Sequence, residues 1–375
     1  TPDMNAPYAT KILKKTGNSV MAYQSTWLVE ETFSCNELII RPRAVLMAPE
    51  GKFLTLTVDG VGQKIEPGTY KGDVVLPAIV QGGSIEDGKV EGVYMASRED
   101  SFNGIVVDGE GECTIKDVKA DFDGFGDNDF LGVGCAVTVV GNPTVTIEDC
   151  DFTVNGVTRC TVHVGGTSTV TVKNTKMTNI CPEDTWPGCF SWQVGFCGSN
   201  RLAQFTDAAN VTYDGCDLKT NGWGILSIDG TDGGQTMLVK NTRMELSGPK
   251  AHGYGAFCIG DNEVIYDNCD VDVYGYPLLM MGMEGKGKAA ILNSRIKGRR
   301  YGVMINGDDN SVLTIKDSDF KTGKSTFCVH GASTIIDVEN TSMTAANGTI
   351  VTAPTCGSCG VLPAVLMYLQ GKYHY

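Results

Sequence analysis

The sequence predicts an all-β fold, a single-stranded parallel β-helix solenoid, and three observations carry that expectation. A short pattern recurs at a period near 25 residues. Within each copy apolar and other positions alternate on both sides of a central Asn or Asp, the mark of two short strands meeting at a bend. The composition, with 47 glycines in 375 residues and many Thr, Asn and Asp, favours strands and turns over helices.

The repeat reads apolar, any, Asp/Asn, small, any, apolar. Its copies include "VTIEDCDF" (145–152), "VTVKNTKM" (170–177), "VTYDGCDL" (211–218), "MLVKNTRM" (237–244), "VIYDNCDV" (264–271), "AAILNSRI" (289–296), "LTIKDSDF" (313–320) and "IIDVENTSM" (335–343), with "CTIKDVKA" (113–120) as a weaker early copy. The first apolar residue falls at Ile115, Ile147, Val172, Tyr213, Val239, Tyr266, Ile291, Ile315 and Val338, at spacings of 32, 25, 41, 26, 27, 25, 24 and 23. Such a period, with short strands and no helical pattern between them, fits coils that stack one on the next. Asp117, Asp149, Asn174, Asn241, Asn268, Asn293, Asp317 and Asn340 then form a ladder at one corner, where left-handed backbone suits Asn and Asp. Gly215 fills the same place because glycine also accepts that conformation. The small residue that follows points inward, so Cys150, Cys216 and Cys269 are expected to be buried thiols.

Each coil carries an earlier strand, such as "TVHVGG", "SWQVGF", "ILSIDG", "AFCIGD", "LLMMGM", "GVMING" and "TFCVHG". Taking Val164, Val194, Ile228, Ile259, Met281, Ile305 and Val329 as inward anchors sends His163, Gln193, Ser227, Cys258, Met280, Met304 and Cys328 outward, with Asp229 and His330 in the next outward column. His163, Gln193 and Asp229 then lie on consecutive coils about 4.8 Å apart, an arrangement that suits a general base with orienting partners. Just before the anchors, Trp223, Tyr254, Tyr276 and Tyr301 follow one another on four coils, with Asn221, His252, Tyr274, Arg299 and Arg300 beside them. Aromatic faces bind flat or sugar rings, Arg pairs with carboxylates, and His, Tyr and Asp exchange protons. The expected catalytic set is His252, Tyr254, His163, Tyr301 and Asp229. The expected substrate-binding set is Trp223, Tyr274, Tyr276, Arg299, Arg300, Gln193 and Asn221.

Asp121, Asp123, Asp127 and Asp129 in "DFDGFGDNDF" are the candidate metal ligands, since an oxygen-rich glycine loop suits Ca²⁺; otherwise no cofactor is required. The 41-residue spacing marks an insertion at about 181–207 that holds Trp186 and emerges beside His163 and Gln193. The net charge of −14 argues against nucleic-acid and anionic-membrane partners, and no apolar run is long enough to span a bilayer. The opening "TPDMNAPYAT" does not have the charge and apolar pattern of a signal peptide. Oligomeric state leaves no trace in the pattern.

The repeat resembles the right-handed parallel β-helix, or pectin-lyase-like, superfamily over roughly residues 100–350; handedness follows from that resemblance and from the rule for parallel crossovers. Residues 1–100 read as an N-terminal cap with early irregular coils, 101–350 as the repeats, and 351–375 as a C-terminal cap. "YATKILKKTG" is expected to be a capping helix and "LPAVLMYLQ" a second cover. The resemblance implies an enzyme (lyase, hydrolase or epimerase) acting on an oligosaccharide or a small polyhydroxylated ring in an extracellular or periplasmic setting. The alternatives are a non-catalytic surface or adhesion β-helix and an isomerase or lyase of a small cyclic ketone or phenol. "RIK" at 295–297 matches a polygalacturonase element in letters only, because that family's acidic companions are missing.

Overall fold

In a computed structural model the described residues are 78–346, less 87, 98–99, 127, 182–199, 230–232, 248–252, 283–285, 308–309 and 331–332, together with short strands before residue 66. The chain forms two compact units, Thr1–Thr185 with Phe190–Ser199, and Trp186–Cys189 with Asn200–Tyr375. Both are built as the repeat predicts, from parallel strands stacked coil on coil.

In the first unit Tyr94–Ser97, Lys119–Asp123, Asp151–Asn155 and Lys176–Ile180 stack in parallel. The 12-residue strand Ile105–Lys116 runs beside Val137–Glu148 over its whole length. On the next coil that long strand splits into Val162–Val164 and Thr169–Lys173. Parallel pairing also joins Lys11–Ile12, Thr26–Leu28 and Val45–Met47. Lys11–Ile12 is therefore strand, not part of the expected capping helix, because a short polar helix has less to gain than a ladder partner. "LPAVLMYLQ" and the rest of 351–375 lie outside the described residues.

The second unit repeats the plan more evenly. One face holds Asp217–Thr220, Arg243–Leu246, Asp270–Val273, Arg295–Gly298, Asp319–Thr322 and Ser342–Ala345. Another holds Asn210–Asp214, Thr236–Lys240, Glu263–Asp267, Lys288–Leu292, Val312–Lys316 and Ile335–Glu339. Alternation turns one side chain in two toward the axis. Tyr213, Val239, Tyr266, Ile291 and Ile315 form one buried column, and Leu218, Met244, Val271, Ile296 and Phe320 a second. Each such side chain contributes roughly 1.5–3 kcal/mol on leaving water.

The corner ladder is as the repeat predicts. Asp117, Asp149, Asn174, Asn241, Asn268, Asn293, Asp317 and Asn340 all have φ between 46° and 57°, and Gly215 has φ 69°. The corner N–H donates to the next coil, as from Asn268 to the Leu292 carbonyl at 3.0 Å. Side-chain amides also link coils, as from Asn268 Nδ2 to Asn241 Oδ1 at 2.8 Å. The small residue behind the corner satisfies backbone from inside. The Cys269 N–H donates to Ser294 Oγ at 3.0 Å, and that hydroxyl donates to the Leu292 carbonyl at 2.6 Å. The Thr175 and Thr242 hydroxyls do the same for Cys150 and Cys216.

Cys150, Cys216 and Cys269 are buried and form no disulfide, as expected. Burial pushes the Cys150 and Cys269 thiols up to about 11 and Cys258 up to about 12. In the native protein at pH 8 these three are expected to resist iodoacetamide while the part-exposed Cys113 and Cys328 react, as read by peptide mass spectrometry. Alkylation of Cys269 as fast as Cys328 would contradict the inward column.

Two solvent-facing columns in the second unit carry stretches of alternating charge, while a third sets Glu245 opposite Asp272 and Lys297 opposite Lys321. Asp217, Arg243, Asp270, Arg295 and Asp319 are register neighbours in that order. On the adjoining face Asp214, Lys240 and Asp267 follow the same rule. Ion pairs bridge the coils, Arg295–Asp270 at 3.1 Å, Lys297–Asp272 at 2.6 Å and Lys240–Asp214 at 3.1 Å. "RIK" is thus part of this exposed lattice. Such surface pairs contribute little individually, but opposite signs avoid the repulsion that in-register stacking would otherwise impose.

Among the described residues the one helical turn is a 3-10 helix at Asp129–Leu131, and no helix is long and apolar enough to cross a membrane. The loop containing that turn is held from below by Arg159. Its Nε donates to the Gly134 carbonyl at 2.7 Å, Nη1 to Gly124 at 2.8 Å and Nη2 to Phe102 at 3.0 Å. The guanidinium also lies 5.2 Å from the Phe122 ring centroid. Burial lowers its pKa to about 10, so it stays charged near neutrality.

Candidate functional site

The strands that carry the expected site residues lie in the second unit. They are Arg201–Phe205, Gly224–Ile228, Tyr254–Ile259, Tyr276–Gly282, Tyr301–Gly307 and Ser325–His330, all parallel. Their register corrects two expectations. Ile228 pairs with Cys258, Cys258 with Met280, and Met280 with Ile305. Cys258 and Met280 are therefore the inward anchors, almost fully buried, in place of Ile259 and Met281. The outward column is Ser227, Phe257, Leu279, Met304 and Cys328. It is more apolar than the sequence reading made it.

The second correction concerns the coil with the insertion. The strand beside Gly224–Ile228 is Arg201–Phe205, with Gln204 opposite Ser227 and Phe205 opposite Ile228. "SWQVGF", with Gln193, lies outside the described residues. The glutamine next to Asp229 is Gln204.

Arg201, Gln204 and Asp229 form a closed, buried polar cluster. Arg201 Nη1 donates to Gln204 Oε1 and to Asp229 Oδ2, and Gln204 Nε2 donates to the same carboxylate oxygen. The Arg201 and Asp229 side chains are only 4% and 6% exposed. Close by, Ser227 Oγ and Tyr254 Oη share a buried hydrogen bond of 2.6 Å. The Tyr254 ring covers Gly224, where a Cβ would fall 2.2 Å from it. Arg201 and Gln204 escaped the sequence reading; an arginine and a glutamine three apart in a short apolar strand were the available signal.

The aromatic column exists in altered form. Tyr254 pairs with Tyr276 in register, while Trp223 sits one position earlier, where it meets Tyr254 edge-on at 6.1 Å and 82°. Tyr276 and Tyr301 stack at 5.5 Å and 7°. Tyr254 also packs 5.3 Å from Phe257. Arg300 and Lys324 each approach the Tyr301 ring to 5.9 Å. Burial raises the Tyr276 phenol above its usual value, with Arg300 pulling it back. Arg299 is exposed and lies 3.8 Å from Asp272. Asn221 and Tyr274 are half-buried at the same corner, and the Tyr274 N–H donates to the Leu246 carbonyl at 3.1 Å. His252 lies outside the described residues.

The remaining candidates are in the first unit. His163 is outward in register, opposite Thr138, but it is buried at 2% exposure and does not face solvent. The Asp129–Leu131 turn lies over it, and Nε2 donates to the Phe130 carbonyl at 3.0 Å. In the second unit Asp229 has Arg201 and Gln204 as partners, and Gln193, the third member of the expected relay, lies outside the described residues. Three of the four aspartates named as metal ligands are described. Asp121 and Asp123 stand on one strand, where Asp123 accepts from Asn155 Nδ2 at 2.7 Å, and Asp129 is buried in the turn. Asp127 lies outside the described residues, among which no three His, Cys, Asp or Glu converge on a cation site.

Comparisons with known proteins add little beyond the fold. No curated protein matches the sequence. A family model for the serine dehydratase alpha chain matches residues 286–375, a minority of the chain. The described part of that stretch continues the β-helix coils. Among solved structures, PfbA, a surface adhesin of Streptococcus pneumoniae, is similar at 12% identity and a TM-score of 0.33, over 92% of this chain and 91% of that one.

Proposed function

We propose that the chain acts on a polyhydroxylated or phenolic ring held against the outer face of the second unit, beside Arg201, Ser227, Asp229 and Tyr254. The buried Arg201–Gln204–Asp229 cluster carries this reading. A guanidinium–carboxylate pair taken out of water contributes little net stability, and the inward columns already supply the core. Such a buried pair is better explained by chemistry than by folding. Asp229 and Gln204 hold the guanidinium ready for a carbonyl or carboxylate, and the Tyr254 hydroxyl, paired with Ser227, supplies or takes a proton. Phe257 and the edges of Tyr276 and Tyr301 give a ring an apolar wall, while Arg300 and Lys324 favour an anionic substituent. An extracellular or periplasmic setting belongs to the same reading.

The test is a panel of uronate oligosaccharides and hydroxylated aromatics, followed by mass spectrometry and by absorbance of unsaturated products. Tyr254→Phe removes one hydroxyl, costs about 1 kcal/mol of stability and is expected to reduce turnover at least about 100-fold. Undiminished turnover in that variant overturns Tyr254's role. Absence of binding to every ring compound overturns the whole reading. The parallel stack of Tyr276 and Tyr301 favours a second reading, a binding protein without turnover, because rings packed face to face present edges to a ligand. Saturable binding with no product in wild type decides for it.

A further inference from the structure

About four coils beyond Ser227 in the same outward column, roughly 19 Å away at 4.8 Å per coil, stands a group of donors that the proposed chemistry does not use. Cys328 and His330 alternate on the Ser325–His330 strand, so both side chains leave the same face. Cys328 Sγ lies 3.5 Å from His330 Nε2. Met304, on the neighbouring Tyr301–Gly307 strand, is the register partner of Cys328, and Asn306 is that of His330. Cys328 and Met304 are half-buried and His330 is exposed, so the group is shielded on one side and open on the other.

We infer that Cys328, His330 and Met304 form a three-donor site for a soft monovalent cation of the copper(I) class. The donors are a thiol, an imidazole and a thioether, a set that selects copper(I) over harder ions. Ca²⁺ and Mg²⁺ require several oxygen ligands. Zn²⁺ takes thiolate and imidazole but is not ordinarily held by a thioether, so Met304 is the donor that discriminates. Parallel stacking sets neighbouring coils about 4.8 Å apart, close enough for donors on adjacent strands to share one ion. The ion replaces the thiol proton, which passes to solvent, and copper stays in the +1 state throughout, so no oxidant is needed.

The experiment titrates the reduced full-length chain with copper(I) under anaerobic conditions, in competition with bicinchoninate. Wild type is compared with Cys328→Ser, His330→Ala and Met304→Leu, each checked for an unchanged thermal transition. Wild type is expected to hold one more equivalent than Cys328→Ser and to show a near-ultraviolet thiolate-to-copper band that this variant lacks. His330→Ala is expected to weaken that site at least about tenfold. Met304→Leu is expected to weaken copper(I) while leaving any zinc(II) uptake unchanged. Equal uptake by wild type and Cys328→Ser overturns the site and assigns the copper to other cysteines of the chain. Copper(I) affinity unchanged in Met304→Leu overturns the three-donor set. Neither result depends on whether the chain turns over a ring substrate.

Discussion

Arg159→Met is expected to destabilise the first unit by about 3–5 kcal/mol, the scale for removing one partner from a buried charged network. The methionine fills much of the same volume, so the loss is one of hydrogen bonds. It leaves the Gly134, Gly124 and Phe102 carbonyls, which now accept at 2.7, 2.8 and 3.0 Å, without their donor. A hydrogen bond from a charged donor contributes about 1.5–3 kcal/mol, and relief of the buried charge offsets part of the sum. The loop that holds the Gly124 and Gly134 carbonyls also covers His163. Urea denaturation should show the lowered midpoint, and hydrogen exchange should rise first in residues 124–134. Arg159→Lys, which keeps the charge but not the three-way fork, should fall between the two. A midpoint for Arg159→Met within error of wild type would show that the loop is held by other contacts.

The second large effect is expected at Gly253. A Cβ there would lie 1.2 Å from the Trp223 carbonyl oxygen and 2.3 Å from its carbon, both backbone atoms that no rotamer change can move. Gly253→Ala must therefore push the two coils apart at the point where the Tyr254 N–H donates to the Trp223 carbonyl at 3.2 Å and the Tyr276 N–H to Gly253 at 2.8 Å. The cost is at least about 3 kcal/mol, the upper range for overpacking, together with the Tyr254–Ser227 contact and any ring binding that depends on it. Gly234→Ala separates this cause from backbone strain. Gly234 has φ 79° with nothing within 4 Å of a Cβ, so it should lose only about 1–2 kcal/mol. Denaturation midpoints of the two variants test the comparison, and equal losses would refute the close approach at Trp223.

The repeat made the corner and the interior legible. Asn241, Asn268 and Asn293 recur in one place because only a residue tolerant of left-handed backbone fits the bend, and that demand is written in residue type. The earlier strand was harder to phase. In Phe257–Cys258–Ile259 and Leu279–Met280–Met281 every residue is apolar, so alternation gives no contrast and the anchors slip by one. The insertion offered two apolar strands within a 41-residue interval. "SWQVGF" has the better alternation, but "RLAQF" holds the ladder and brings Arg201 and Gln204 to Asp229. The aspartates of "DFDGFGDNDF" looked like one cluster because sequence proximity hides direction. A strand carries Asp121 and Asp123, while Asp129 turns inward with the helical turn above Arg159.

The alternating charges along the second unit give its coil number a parity. Aspartate sits above arginine, arginine above aspartate, and the same neighbours recur only after two coils. In this column, duplicating or deleting a single coil would set like charges face to face at the joint, whereas gaining or losing a pair of coils would keep opposite signs together. For this Asp–Arg column the charge repeat is two coils, twice the structural repeat.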